Sequence, residues 1–127
     1  MINPGRKVMS KSATLLNTEF RTYEPGEHIF TEGDPGNVMY SVIEGKVEIL
    51  TNDKIVYTVD QGEVFGEMAL IDDKPRSATA VAKTSCRLAV IDSRRYNFLI
   101  QQTPLFITQI LKALTNRLRQ MNQEINS

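Results

Sequence analysis

Turn signals recur along this chain every several residues. Pro25-Gly26, Gly33-Asp34-Pro35-Gly36, Glu44-Gly45, Asn52-Asp53 and Gln61-Gly62 punctuate the stretch from Phe20 to Phe65. Each supplies residues that tight turns favour, for proline presets φ while glycine, Asn and Asp tolerate left-handed backbone. Between them lie short apolar runs: His28–Thr31, Val38–Ile43, Lys46–Leu50, Ile55–Val59 and Val64-Phe65. Two more follow, Ser77–Ala82 and Arg87–Asp92. Lys46-Val47-Glu48-Ile49 alternates polar and apolar, the mark of a half-buried strand. Many short strands with frequent turns predict a sandwich or barrel.

After Asp92 the period becomes helical. Ser93 is the expected N-cap of a helix over Arg94–Gln102. Pro104 opens a second helix, where its missing N–H costs little, and that helix runs to about Glu124. Ile107, Leu111, Leu114, Leu118, Met121 and Ile125 recur at alternating steps of four and three, which is heptad spacing. One reading packs this stripe on the strands. The favoured one makes it a dimer seam, with early turns on the strands and later turns on a second copy.

With 127 residues the chain is one domain, and 41% hydrophobic residues suffice for a single core. The formal net charge is zero, so no global field recruits nucleic acid. No apolar run approaches the ~20 residues that span a bilayer. The first residues lack the apolar core of a secretory signal, so the expected location is cytoplasmic, without a membrane partner. The single cysteine, Cys86, lies in an apolar run and reads as core. The single histidine, His28, reads as a structural residue at a strand start. It cannot build a multi-histidine metal site or a convincing catalytic triad.

Phe65–Thr79, FGEMALIDDKPRSAT, carries the chemistry. One carboxylate, Glu67, and one guanidinium, Arg76, stand among the small residues Gly66, Ala69, Ser77 and Ala78. Small residues let backbone N–H groups approach a ligand. The guanidinium fork suits a phosphate, and the carboxylate suits a sugar hydroxyl. A nucleotide held by its sugar-phosphate satisfies both. The plain alternative is a surface ion pair between Glu67 and Arg76, which would leave the small residues unexplained. Gly66–Leu70 breaks the strand pattern and reads as a short helical turn.

This segment resembles the phosphate-binding cassette of the cyclic nucleotide-binding domain family, which includes bacterial catabolite activators and kinase regulatory subunits. The pattern is F-G-E-[LM]-A-L, a short loop, then P-R-[ST/A]-A-T. The stretch YEPGEHIFTEGDPGNVMYSVIEGKVEIL resembles the family's first strands, and the resemblance runs from about Phe20 to the C-terminus. It implies a mainly β fold: an eight-stranded jelly-roll β-roll followed by a short helix and a long C-terminal helix. The expected division is a lead-in over 1–19, loose to residue 13 with a short helix around Ala13–Asn17, then a β-roll over 20–92 with the cassette at 65–79, then helices over 93–127.

The resemblance further implies a ligand site of Phe65, Gly66, Glu67, Met68, Ala69, Arg76, Ser77 and Ala78. Arg76 would pair with the cyclic phosphate, helped by the N–H groups of Ser77 and Ala78, and Glu67 would accept from the ribose 2′-OH. Leu118, Met121 and Asn122 are the candidate base lid. The serine after Arg76 resembles many bacterial cAMP binders, so cAMP is expected ahead of cGMP. No resident cofactor, metal or catalytic group is expected. The chain resembles a lone sensory module that dimerises through its last helix and signals to an effector the sequence does not identify, without touching nucleic acid. Other readings are a fragment of a larger transcription factor, kinase subunit or channel, a β-roll that only dimerises, and a metal-bearing cupin, which one histidine disfavours.

Overall fold

The computed structural model describes residues 6–9 and 18–126, with side chains placed from Thr18 to Gln120. The elements run β1 (Arg6–Met9), β2 (Glu19–Tyr23), β3 (His28–Phe30), β4 (Val38–Glu44), β5 (Val47–Thr51), β6 (Lys54–Val59), β7 (Val64–Phe65), α1 (Met68–Ile71), β8 (Thr79–Ala82), β9 (Cys86–Asp92), α2 (Ser93–Gln102) and α3 (Pro104–Asn126). Eight strands thus lie between Glu19 and Asp92, and β1 adds a ninth inside the expected lead-in. The helix expected around Ala13–Asn17 falls outside the described residues.

All strand pairings are antiparallel and form two sheets, ordered β1-β2-β9-β4-β7 and β3-β8-β5-β6. The turn residues explain how so many strands fit. Asn52 and Asp53 both take positive φ, 53° and 62°, between the paired residues Thr51 and Lys54. Two left-handed central residues make the tight hairpin whose twist matches the flanking strands.

Two cores share one sheet. Between the sheets lie Tyr40, Val42, Val47, Ile49, Tyr57, Phe65, Leu88 and Val90, among others. On the opposite face of the first sheet, Met39, Val64 and Ile91 meet Phe106, Ile110 and Ala113 of α3. Strand β9 serves both, with Leu88 and Val90 facing one way and Ile91 the other. A strand covered on both faces reads as a continuous apolar run. Cys86 is buried, and its Sγ lies 3.1 Å from the Lys46 carbonyl oxygen; burial raises the thiol pKa.

The α2 cap is Asp92 and not Ser93. Its Oδ1 accepts from the Arg95 N–H at 2.8 Å. Asp92→Ala should lower unfolding stability by about 1 kcal/mol, while Ser93→Ala should cost much less. Denaturant midpoints of the two variants check this order.

Candidate ligand-binding site

Phe65 ends β7 inside the roll, fully buried and stacked on Tyr40 with ring centroids 5.2 Å apart. The chain then turns through Gly66, whose φ of 77° a side chain would strain. That turn starts α1, with Glu67 as its N-cap residue, Ala69 buried and Met68 partly exposed. The helical break expected at Gly66–Leu70 is therefore present as one turn. Glu67 is 0% exposed and its side chain makes no cap hydrogen bond, so this carboxylate is buried for a reason other than helix capping.

Arg76 follows the loop after α1 and is also buried. Its Nη2 donates to the Val38 carbonyl at 2.8 Å and its Nη1 to the Gly66 carbonyl at 3.1 Å. The guanidinium carbon sits 4.0 Å from the centre of the Phe30 ring, a cation–π contact. The Arg76 backbone is tied down as well. Its N–H donates to the Asp34 carbonyl, and its carbonyl accepts from the Gly33 N–H, both at 2.8 Å. Burial pulls the guanidinium pKa below its ordinary value, opposed by Tyr40, Asp34 and Glu67. Among the described residues no carboxylate forms an ion pair with Arg76, and its Nε is buried without a hydrogen-bond partner. A cation removed from water and held only by neutral carbonyls keeps its charge available to an anion. Ser77 is exposed beside it, and Ala78 packs against the core.

The surface ion pair between Glu67 and Arg76 does not form. Glu67 instead meets Arg117 of α3, whose Nη2 lies 3.2 Å from Oε1 and 3.5 Å from Oε2. The shorter contact is not aligned as a hydrogen bond, so Oε1 lacks a hydrogen-bond partner, as do Arg117 Nε and the nearby Tyr57 hydroxyl. Three orphaned polar atoms where the roll meets α3 leave donors and acceptors unmet. Burial, then the Glu63 charge, raises the Tyr57 pKa, so the hydroxyl stays a donor at neutral pH.

Arg117 was absent from the sequence expectations. Its signal was its place: Phe106, Ile110, Ala113 and Arg117 lie on one face, and the first three are buried. A cation continuing a buried face needs a buried partner. The expected stripe lies on a different face. Ile107, Leu111 and Leu118 are exposed and only Leu114 packs partly against the core, so the early turns do not use this stripe to dock on the strands. Of the candidate lid, Leu118 is exposed, and the side chains of Met121 and Asn122 lie outside the described residues.

Comparison with known proteins bears on this geometry. Residues 20–103 match the family model described as the cyclic nucleotide-binding domain. The chain is similar to a cGMP-dependent protein kinase of Plasmodium berghei, 39% identical over 88 residues, covering 68% of this chain and 10% of the relative. It is similar to the cyclic AMP receptor protein of Thermus thermophilus, 34% identical over 111 residues, covering 84% of this chain and 51% of the relative. Among solved structures, a c-di-GMP-responsive global regulator of Xanthomonas campestris superposes with a TM-score of 0.77 at 28% identity, covering 89% of this chain and 60% of that one. The chain thus spans about half or less of the length of these two curated relatives.

Proposed function

The chain belongs to the cyclic nucleotide-binding domain family, and we propose on that premise that it is a non-catalytic sensor of cAMP. The observation that carries the reading is the pair of buried, mutually unpaired charges, Arg76 and Glu67, joined to one short turn. Arg76 is the clamp for the cyclic phosphate, and the N–H groups of Ser77 and Ala78 add donors. Glu67 accepts from the ribose 2′-OH. Phe65, Gly66, Met68 and Ala69 form the turn that sets these groups. The likeness to a cyclic AMP receptor protein supports cAMP, and the kinase relative keeps cGMP as the competing ligand.

The output runs through α3. A ribose hydroxyl on Glu67 competes with Arg117 for the same oxygens, so the bound and free states differ in what holds the helix to the cassette. A ligand shifts an equilibrium only by such a difference in interaction. The exposed stripe of Ile107, Leu111 and Leu118 is the proposed seam with a second copy. Leu118, Met121 and Asn122 remain proposed lid residues, and the downstream effector is a protein reached through the same helix.

Calorimetric titration tests the reading. cAMP should bind best, cGMP more weakly and linear AMP most weakly. The second charge of AMP would approach buried Glu67, and Arg76 is the one cation of the proposed clamp. Equal affinity for AMP and cAMP would contradict this account.

A further inference from the structure

Gly36 has no backbone reason to be glycine. Its φ lies outside the left-handed region, unlike those of Gly26, Gly33, Gly45, Gly62 and Gly66. Its reason is the space its missing side chain leaves. A Cβ at position 36 would fall 2.6 Å from Arg76 Cζ and 3.0 Å from Cδ, and it would overlap Nε more closely still. A Cβ at Gly66 would come within 3.1 Å of Arg76 Nη1. The guanidinium therefore lies in a slot walled by two glycines, with the Phe30 ring against its carbon. The loop carrying Gly36 is fastened to the Arg76 backbone through Gly33 and Asp34, which ties the two segments together.

We propose that Gly36 is a positioning residue for the phosphate clamp: the turn 33–36 is a strap that holds the Arg76 guanidinium between two glycines, in the pose that meets an anion. The proposal rests on the cyclic-nucleotide reading above. The three nearest atoms a new Cβ would meet all belong to the outer part of the Arg76 side chain. A methyl group at position 36 would therefore be accommodated by moving the guanidinium and not the fold. The two carbonyl hydrogen bonds and the Phe30 contact would be lost together, because they share one rigid plane.

The experiment compares wild type, Gly36→Ala and Gly36→Ser. Three measurements are made: the thermal midpoint, cAMP affinity by calorimetry, and the side-chain Nε–H resonance of Arg76, assigned by its loss in Arg76→Lys. Both variants should stay cooperatively folded, with a midpoint lowered no further than in Arg76→Ala, which loses the same contacts, and should shift the Arg76 resonance. Both should bind cAMP about tenfold or more weakly, the scale of one charge-assisted hydrogen bond. Wild-type affinity in either variant would overturn the proposal. So would weakened binding with an unmoved resonance, or a midpoint in both variants well below that of Arg76→Ala, which would make Gly36 a packing residue. If wild type itself fails to bind cAMP, the functional reading falls, while the resonance still decides whether Gly36 holds Arg76.

Discussion

Arg76→Ala should weaken cAMP binding by roughly a hundredfold to several thousandfold, the equivalent of about 3–5 kcal/mol for removing one partner of a buried charge pair. The physical reason lies in the ligand-free site. Arg76 is already desolvated and its charge is met only by two backbone carbonyls and an aromatic face. Much of the cost of burying that charge falls in folding, so it need not fall again at binding. Without the guanidinium, a cyclic phosphate would enter the same pocket with no cation of the clamp to meet it. Arg76→Lys should recover only part of the loss, because a point charge cannot replace the two-pronged fork. Glu67→Ala should cost less, since it removes an acceptor for a neutral hydroxyl and also a charge that repels the phosphate. Calorimetry on the three variants orders them, and a loss below tenfold for Arg76→Ala would place the ligand elsewhere.

Much of this arrangement is legible in the sequence. Turn residues bounded most strands because a left-handed backbone demands few residue types, as Asn52-Asp53 demonstrates. Strand β9 announced itself as an apolar run because both of its faces are covered. Strand β2, Glu19-Phe20-Arg21-Thr22-Tyr23, went unseen because only Tyr23 is buried and no alternation results. Within the site, Glu67 and Arg76 stood out by their small neighbours. Arg117 did not, because its partner lies 50 residues away in sequence. Gly36 carried a turn signal that hid its role, for the atoms it clears belong to a side chain forty residues on. The faces of α3 were confused for a related reason. A heptad stripe of large apolar residues is conspicuous, whereas the roll-facing set includes a small residue, Ala113, and continues with a cation.

That second face makes the dimer testable without unfolding the roll. Leu111→Glu combined with Leu118→Glu should convert a dimer to monomers while leaving thermal stability of the monomer nearly unchanged. Both side chains are more than half exposed, so their loss removes nothing from the roll–helix core of Met39, Val64, Ile91, Phe106, Ile110 and Ala113. Leu114 is the wrong target despite its place in the heptad, since it packs partly against that core. In a paired seam, burying a leucine contributes on the order of 1.5–3 kcal/mol, and the double variant forfeits four such contributions per dimer. It also sets like charges along one interface. Sedimentation of both proteins at high micromolar concentration reads the result, and a monomeric wild type with and without cAMP would leave the stripe without a seam. The switching half of the proposal stands on the Arg117–Glu67 contact and fails separately. Saturating cAMP should alter hydrogen exchange across 105–125, because a ligand that takes the Glu67 oxygens changes what anchors the helix. Identical exchange in the two states would mean that the nucleotide binds without reaching α3.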